Sequence, residues 1–453
     1  MGPGKLYTND DDRWHKLQRW WIDRMVKGLS PVREKIVLFL HTHFATARSK
    51  VTDTLYMATQ NALFREFANG DFRELVKRVN VDPATLWWLD GRTNKKGAPN
   101  ENYGRELMEL FTLGVFDFAG KRNYSQSDVK QVARVLTGWR VHEANGHISP
   151  EFRFTDRHDK NAKTVFAADP TETPNQNAAN VFNEPANTTD EGLATDEHRR
   201  LVDAIFSHID TEGRPTAARH IARKVWKFFA YDPVVDAGTA RTDLSLIDDL
   251  ADVFVANGYS LTELLRAVFL RQEFYFDPTR TVKSPVEYVT GTLRMLRARL
   301  AGDTKLVLGD DGTTTFPGMS TMSQELFNPP DVFSWKGNEA WITTQALLKR
   351  FEFGRSLSER DKGRKDPFNS HLANDIGFNV YSYLDLAETR RAAVVDRFLK
   401  LLGPLNVDTA THNELVAWLG PADPIDLTDT TFVQKRVRGL LNLIFTLPHY
   451  HVH

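Results

Sequence analysis

Helix start and stop signals recur along almost the whole chain, and they constrain its fold more than any other feature. Ser30-Pro31 and Asp82-Pro83 each place a capping side chain directly before a proline, which suits the first turn of a helix. Gly28 and Gly138 follow periodic segments in the position of stop signals. Only residues 141–166 alternate apolar and polar side chains as a short strand or hairpin does. We therefore predict a mostly α, multi-helix globular domain with a small strand-like element.

The organisation of the chain is predicted from shifts in its composition. We expect a helical core domain over residues 11–300, with a long mobile insert at 142–192. Its second part, 167–192, is rich in Pro, Asn and Thr. A helical C-terminal portion over 301–453 is expected to pack on this core. Pro285 to Leu300 is predicted as one amphipathic helix, and 302–323 as a Gly/Thr-rich loop. We expect the histidine-rich tail, 449–453, to be a frayed terminus, with binding of adventitious metal as the alternative.

Composition excludes several classes of function. The chain has 453 residues, with 58 Lys plus Arg against 59 Asp plus Glu, so no basic field indicates a nucleic-acid partner. It has no cysteine, so thiolate chemistry and disulfides are excluded and any metal must use His, Asp or Glu. No apolar run is long enough for a membrane span or a signal peptide. The chain as given is expected to be soluble, with earlier removal of an export signal as an alternative.

Residues 98–115 carry the densest group of ionisable side chains in a regular segment. Asn100 is a predicted N-cap and Gly114 a predicted stop, so the segment should form a helix. At about 100° per residue, Glu106 and Glu109 share one face, whereas Glu101 and Arg105 share another. Two like charges at this spacing need a cation, a proton or open water.

Two readings of these charged residues remain open. Two close carboxylates with separated pKa values can act as acid and base, as in glycoside hydrolysis, or hold a metal. On this reading Glu106, Glu109, Arg105 and Asp159 are the predicted catalytic residues. The alternative is a structural network in which Arg105 and loop lysines neutralise the glutamates.

His41, His43 and His158 are the predicted ligands of a divalent metal, although the cofactor itself is not defined by the sequence. On a strand, His41 and His43 would point the same way, whereas on a helix they would diverge by about 200°. Buried histidines that bond to acids are the alternative. His158 and Asp159 follow the strand-like segment in a loop, where an ion-paired network is again the alternative.

Four residues are predicted to bind substrate: Trp139, Trp335, Asn100 and Glu101. Tryptophan faces suit sugar rings, but such side chains more often belong to the core. Motifs of nucleotide-binding and common serine-hydrolase sites are absent from the sequence.

The segment Asn-Glu-Asn-Tyr-Gly-Arg-Glu-Leu-Met-Glu-Leu at 100–110 resembles the signature of a large bacterial family, catalogued as domain of unknown function eighteen-hundred. The further matching segments, in the family's order, are Leu40-His41-Thr42-His43-Phe44, residues 124–129 and 133–139, His158-Asp159, Lys163-Thr164, residues 283–287 and residues 329–335. Two departures stand out: Thr42 replaces the usual Asn, and the family's Arg/Gly-rich opening segment is missing.

The resemblance implies a cellular location and a class of partner, but it does not define a chemical reaction. Members of the family often occur beside sulfatase-like proteins and are often exported, which implies an envelope or extracellular polymer as substrate. The sequence therefore favours a hydrolase-like enzyme that acts on a polymer such as a carbohydrate through the Glu/His residues. The alternative is a non-catalytic scaffold or binding protein that works with a sulfatase-like partner.

Overall fold

The computed structural model describes residues 10–144, 147–167, 181–235, 242–276, 281–300, 318–359, 376–403 and 405–453. Helices dominate, which confirms the predicted mostly α fold. In chain order they are α1 Asp10–Lys27, α2 Pro31–His43, α3 Thr54–Phe67, α4 Phe72–Val79, α5 Pro83–Trp88, α6 Glu101–Glu109, α7 Gln126–Val135, α8 Glu191–Thr195, α9 Glu197–Phe206, α10 Thr216–Phe229, α11 Leu244–Ala256, α12 Leu261–Leu270, α13 Gln272–Phe276, α14 Pro285–Met295, α15 Thr344–Glu359, α16 Arg391–Leu401, α17 Thr409–Trp418, α18 Thr430–Phe432, α19 Arg438–Thr446 and α20 Pro448–His451. None of the helices in these ranges is both long and apolar enough to cross a membrane.

The strands form short antiparallel pairs. β1 Trp139–Ala144 pairs with β2 His147–Phe152, so the predicted hairpin is present. β3 Lys163–Val165 pairs with β4 Phe182–Glu184, and β5 Arg299–Leu300 pairs with β6 Ile376–Gly377. The last two pairs were not predicted, because strands of two or three residues carry no measurable alternation.

The chain divides into two compact units. The first unit comprises Met1–Pro31, Arg280–Leu326 and Trp335–His453, and the second comprises Val32–Thr279 and Phe327–Ser334. Parts of the predicted insert at 142–192 and of the predicted loop at 302–323 lie outside the described residues, at 145–146, 168–180 and 301–317. The described parts of the insert carry the end of β1, the strands β2 to β4 and the start of α8.

Side-chain caps begin several of the helices, including the predicted cap Asp82. Asp82 accepts the backbone N–H of Thr85 at the start of α5. Ser125 and Ser284 each form a reciprocal capping box with the acid three residues later, at the starts of α7 and α14. These bonds satisfy backbone donors that have no partner within the first turn of a helix.

The predicted helix from Pro285 to Leu300 ends early, and this prediction is wrong for its last five residues. The helix stops at Met295, and Arg297 adopts a positive φ of 43°. Arg299 and Leu300 then pair with Gly377 and Ile376 as strands. A contact with a distant segment therefore overrides the local helical pattern.

The core of the second unit that surrounds the site is aromatic. The Phe44 ring stacks on Phe64 and Phe72 at centroid distances of 5.9 and 5.7 Å. Phe111, from the turn after α6, meets Phe44 edge-on at 5.1 Å. His43 packs against the same group, 4.5 Å from Phe44. The end of α2 and the end of α6 thus meet in one aromatic cluster.

The C-terminal tail is not frayed, which corrects the prediction. Tyr450 and His451 are 1% and 4% exposed, and α20 ends at His451. The backbone of Lys283 donates to His451 O at 2.8 Å, and that of His453 donates to Thr281 O at 2.9 Å. The aromatic ring of Tyr288 covers both Tyr450 and His451. Packing against Tyr288, which is distant in sequence, therefore orders a tail whose composition is typical of a frayed terminus.

Candidate active site

The start of α6 is held by an asparagine pair. Asn100 Oδ1 accepts the backbone N–H of Tyr103 at 3.2 Å, and its amide donates to Leu89 O at 2.7 Å. Asn94 Oδ1 in turn accepts the backbone N–H of Asn100. Asn100 is therefore an N-cap, as predicted, and its side chain is occupied by backbone groups.

Side chains from three other segments bind the carbonyl groups at the end of α6. Lys224 Nζ donates to Leu110 O at 2.7 Å, and His43 Nε2 donates to Phe111 O at 3.1 Å. Asn123 Nδ2 donates to Leu113 O at 3.0 Å and to Gly114 O at 3.1 Å. Carbonyls at a helix end lack partners within the helix, so these donors complete the end of α6.

His220 and Gly114 belong to the same helix end. Gly114 has a φ of +77°, and a Cβ added there would lie 2.9 Å from His220 Nδ1. Burial lowers the pKa of His43 and of His220 well below the ordinary value. Lys224 is also desolvated, which lowers its pKa to about 8. Sequence reasoning missed His220 and Lys224, whose only local signal is a spacing of one turn on α10.

Glu106 and Glu109 share one environment on α6. The side chain of Glu106 is buried to 9% exposure, and none of the described residues donates a hydrogen bond to its carboxyl. Tyr124 Oη donates to Glu109 Oε2 at 3.3 Å. Burial and then the charge of Glu109 raise the pKa of Glu106 to about 7, against an opposing effect of Arg105. Glu106 therefore exchanges its proton near neutral pH.

Glu101 and Arg105 lie in a second environment on the same helix. Gln126 Nε2 donates to Glu101 Oε2 at 2.7 Å, and Arg105 Nη2 donates to Gln126 Oε1 at 2.8 Å. The Gln126 amide thus bridges the two charged side chains between α6 and α7. Neither group makes a direct hydrogen bond to Glu106.

His158 lies in a separate, buried network with Thr137, Lys163 and Glu197. Its Nε2 is 2.9 Å from Glu197 Oε2, and its Nδ1 is 2.9 Å from Thr137 O. Lys163 Nζ lies 2.8 Å from Glu197 Oε1, and these side chains are at most 2% exposed. Both ring nitrogens of His158 therefore lie against oxygen atoms of the protein.

Asp159 is paired as well. It accepts from Arg134 Nε at 2.7 Å and from Arg134 Nη2 at 3.2 Å. The backbone N–H of Asn161 also donates to its Oδ1. The guanidinium and these hydrogen bonds hold the pKa of Asp159 below its ordinary value. Asp159 is therefore an ionised partner of Arg134 in a different place from Glu106.

The three histidines predicted to share a metal have different surroundings. His41 and His43 lie on α2, a helix, so their side chains diverge. The His41 ring lies 5.3 Å from Phe327, and burial lowers its pKa to about 3. His158 sits with Thr137 and Glu197. Within the described ranges, no group of three or more His, Asp or Glu side chains is arranged to hold a metal ion.

The two tryptophans predicted to bind substrate are buried. Trp139 is 7% exposed and packs against Phe152 at 5.0 Å and His198 at 5.1 Å. Trp335 is 9% exposed and belongs to the other unit. Neither ring presents an open face of the kind that stacks on a sugar.

Comparison with known proteins defines the family. A family model described as "Protein of unknown function (DUF1800)" matches residues 5–452. The chain belongs to the DUF1800 family. No curated protein and no solved structure gives a significant match. The match includes residues of both units of this DUF1800 protein, so one family model covers α6 as well as the C-terminal helices.

Proposed function

We propose that this DUF1800 protein is a hydrolase-type enzyme in which Glu106 transfers the proton of the reaction. The observation that supports this proposal is the raised pKa of Glu106, about 7, in a carboxyl to which no described residue donates a hydrogen bond. A general acid or base works best when its pKa lies near the operating pH. Strongly perturbed pKa values concentrate at functional sites.

The surroundings of Glu106 and Glu109 suit different roles for the two carboxyl groups. Glu109 accepts a hydrogen bond from the hydroxyl of Tyr124 and acts electrostatically on Glu106. Glu106 holds the proton because it is buried beside that charge. A protonated carboxylic acid next to a carboxylate is the arrangement that glycoside hydrolysis uses. We therefore propose a polymer as substrate, with polysaccharides as the first class to test.

The proposed chemistry does not use His41, His43 or His158. His43 is engaged with Phe111 O, and His158 with Thr137 O and Glu197. We assign these histidines to holding α6 and the β1–β2 region in place. Arg105 is a positioning residue, since it opposes the rise in the pKa of Glu106.

Glu106→Gln should make the protein more stable than the natural chain above neutral pH. The folded-state pKa of about 7 lies above the ordinary 4.5, so the folded protein keeps a proton that the unfolded chain has released. Stability from this group is therefore lost as pH rises from about 4.5 to about 7. The upper limit is about 3 kcal/mol, which solvent screening reduces to about 1.5 kcal/mol. Urea unfolding of both proteins at about pH 5 and about pH 8 measures it.

The decisive quantity is the change with pH rather than the absolute stability. The advantage of Glu106→Gln over the natural chain should grow between the two pH values. Glu101→Gln, on the same helix but bonded to Gln126, is the matched control and should show no such growth. An advantage that is equal at both pH values would contradict the assigned protonation of Glu106.

Activity is the direct test. Release of reducing ends from a panel of polysaccharides should fall by about 10²–10⁴-fold in Glu106→Gln, the range for loss of a general acid or base. Glu191→Gln, at an exposed glutamate on α8 outside this site, should retain the activity. If Glu106→Gln and Glu109→Gln both leave an identified activity intact, the proposal is wrong.

A non-catalytic role with a sulfatase-like partner is the second candidate. It is favoured by the paired, buried network of His158, Lys163 and Glu197, which is typical of a structural core. Co-purification of the two proteins, without loss of binding in Glu106→Gln, would support this role. Such a result would also show that binding of the partner does not depend on the proton transfer proposed for Glu106.

A further inference from the structure

Arg350, on α15 of the first unit, is a buried cation whose hydrogen-bond partners are backbone carbonyls. It is 0% exposed. Its Nη2 donates to Lys283 O at 2.6 Å, and its Nε donates to Trp341 O at 3.1 Å. The guanidinium lies 4.9 Å from the centre of the Tyr288 ring. Its Nη1 has no acceptor among the described residues.

The ring of His451 lies against the same tyrosine, and Trp341 lies beside Arg350. The His451 ring stacks on Tyr288 at 5.2 Å, and neither of its ring nitrogens makes a well-aligned hydrogen bond within the described chain. The Phe445 carbonyl is nevertheless close enough to oppose the lowering of the His451 pKa. The indole N–H of Trp341, whose own carbonyl binds Arg350, also has no acceptor there.

Lys283 adds a second cation. Its Nζ donates to Tyr450 O at 2.8 Å and lies 4.6 Å from the centre of that ring. The nearby carboxylate, Glu287, accepts the backbone N–H of Ser284 at 3.0 Å and lies 3.5 Å from His453 Nε2. Two cations therefore face one carboxylate that already has other partners.

This imbalance is costly in a buried place. Desolvation lowers the pKa of Lys283 to about 8, that of Arg350 to about 10 and that of His451 to about 3. A buried charge or donor without a partner destabilises a fold. The side chains present supply N–H donors in excess of acceptors. A group that accepts hydrogen bonds and carries negative charge would balance this excess.

We propose that Lys283, Trp341, Arg350 and His451, the Arg350 cluster, bind a small oxyanion. A phosphate or sulfate group, or a carboxylate, accepts hydrogen bonds at every oxygen and matches the fixed fork of a guanidinium. Arg350 Nη1 is the anchoring donor, and Lys283 supplies the second charge. This site lies within the first unit and is independent of the proton transfer proposed for Glu106.

Thermal unfolding of the full chain tests the proposal with defined ions. Sodium phosphate, sodium sulfate and sodium acetate are compared with sodium chloride at equal ionic strength, so that general screening cancels. At about a hundredfold excess over Kd, a bound ion should raise Tm by about 3 °C. A rise in phosphate or sulfate identifies a tetrahedral oxyanion, whereas a rise in acetate alone identifies a carboxylate.

Variants locate the site. Arg350→Met should abolish the ion-specific rise in Tm, and Arg355→Met, an exposed arginine on the same helix, should keep it. If Arg350→Met does not fold, Lys283→Met serves instead and should reduce the rise. The proposal is overturned if none of the three ions raises the Tm of the natural chain. It is also overturned if the rise persists in the folded Arg350→Met or Lys283→Met protein.

Discussion

Glu197→Ala should lower the free energy of unfolding by about 3–5 kcal/mol, the cost of removing one partner from a buried ion pair. Glu197 is the carboxylate between Lys163 and His158, and all three side chains are at most 2% exposed. Without it, the buried Lys163 ammonium loses the carboxylate 2.8 Å away and keeps only the electrostatic effect of Asp159. The ring nitrogen of His158 that faces Glu197 Oε2 also loses its acceptor.

Urea unfolding followed by circular dichroism measures this loss. Glu191→Ala is the matched control, because Glu191 is exposed on the preceding short helix α8 and should cost less than about 0.5 kcal/mol. The double variant Lys163→Met/Glu197→Leu should recover part of the loss, since it removes both charges. A loss below about 1 kcal/mol in Glu197→Ala would show that the network does not hold the fold as described.

Gly104→Leu should destabilise the protein by about 3 kcal/mol or more, because α6 and α7 pack backbone against backbone at this glycine. A Cβ at Gly104 would lie 2.9 Å from Val129 O and 3.0 Å from Ala133 N. Both are backbone atoms of α7 and cannot move without shifting the helix. Gly104→Ala should already cost about 1–3 kcal/mol, the usual range for overpacking.

Gly291, also inside a helix, provides the opposite expectation. A Cβ added there meets no atom within 4 Å. Gly291→Ala should therefore raise stability by up to about 1 kcal/mol through helix propensity alone. Thermal unfolding of the two alanine variants should shift Tm in opposite directions. A stabilising Gly104→Ala would contradict the close contact between α6 and α7.

The His41-Thr42-His43 segment contacts the segment 98–115, but the contact does not involve Glu106 or Glu109. His43 binds Phe111 O beyond the end of α6, whereas Glu106 lies with Glu109 and Tyr124. Thr42, which replaces the family's usual Asn, donates its hydroxyl to Leu38 O at 2.9 Å within its own helix. The His-Thr-His stretch therefore supports the helix that carries Glu106, and we assign it no chemical step.

The sequence by itself determined the helices and their starts. Asn100, Ser125 and Ser284 cap the helices that follow them, because a cap is a bond between residues two or three apart. The separation of Glu106 and Glu109 from Glu101 and Arg105 was likewise predictable, since it depends only on the helical repeat. Gly114, the predicted stop, has the positive φ that favours glycine, but α6 already ends at Glu109, so the predicted end of this helix is wrong.

Tertiary structure alone decided which of these charged groups are buried and with what partners. Lys224 reaches Leu110 across 114 positions of sequence, and Glu197 reaches Lys163 across 34. The ordered tail around Tyr450 and the early end of α14 also depend on distant segments. Burial and charge partners set a pKa, and a local pattern contains neither. The sequence therefore indicated Glu106, whereas only the folded chain gave its carboxyl a pKa of about 7.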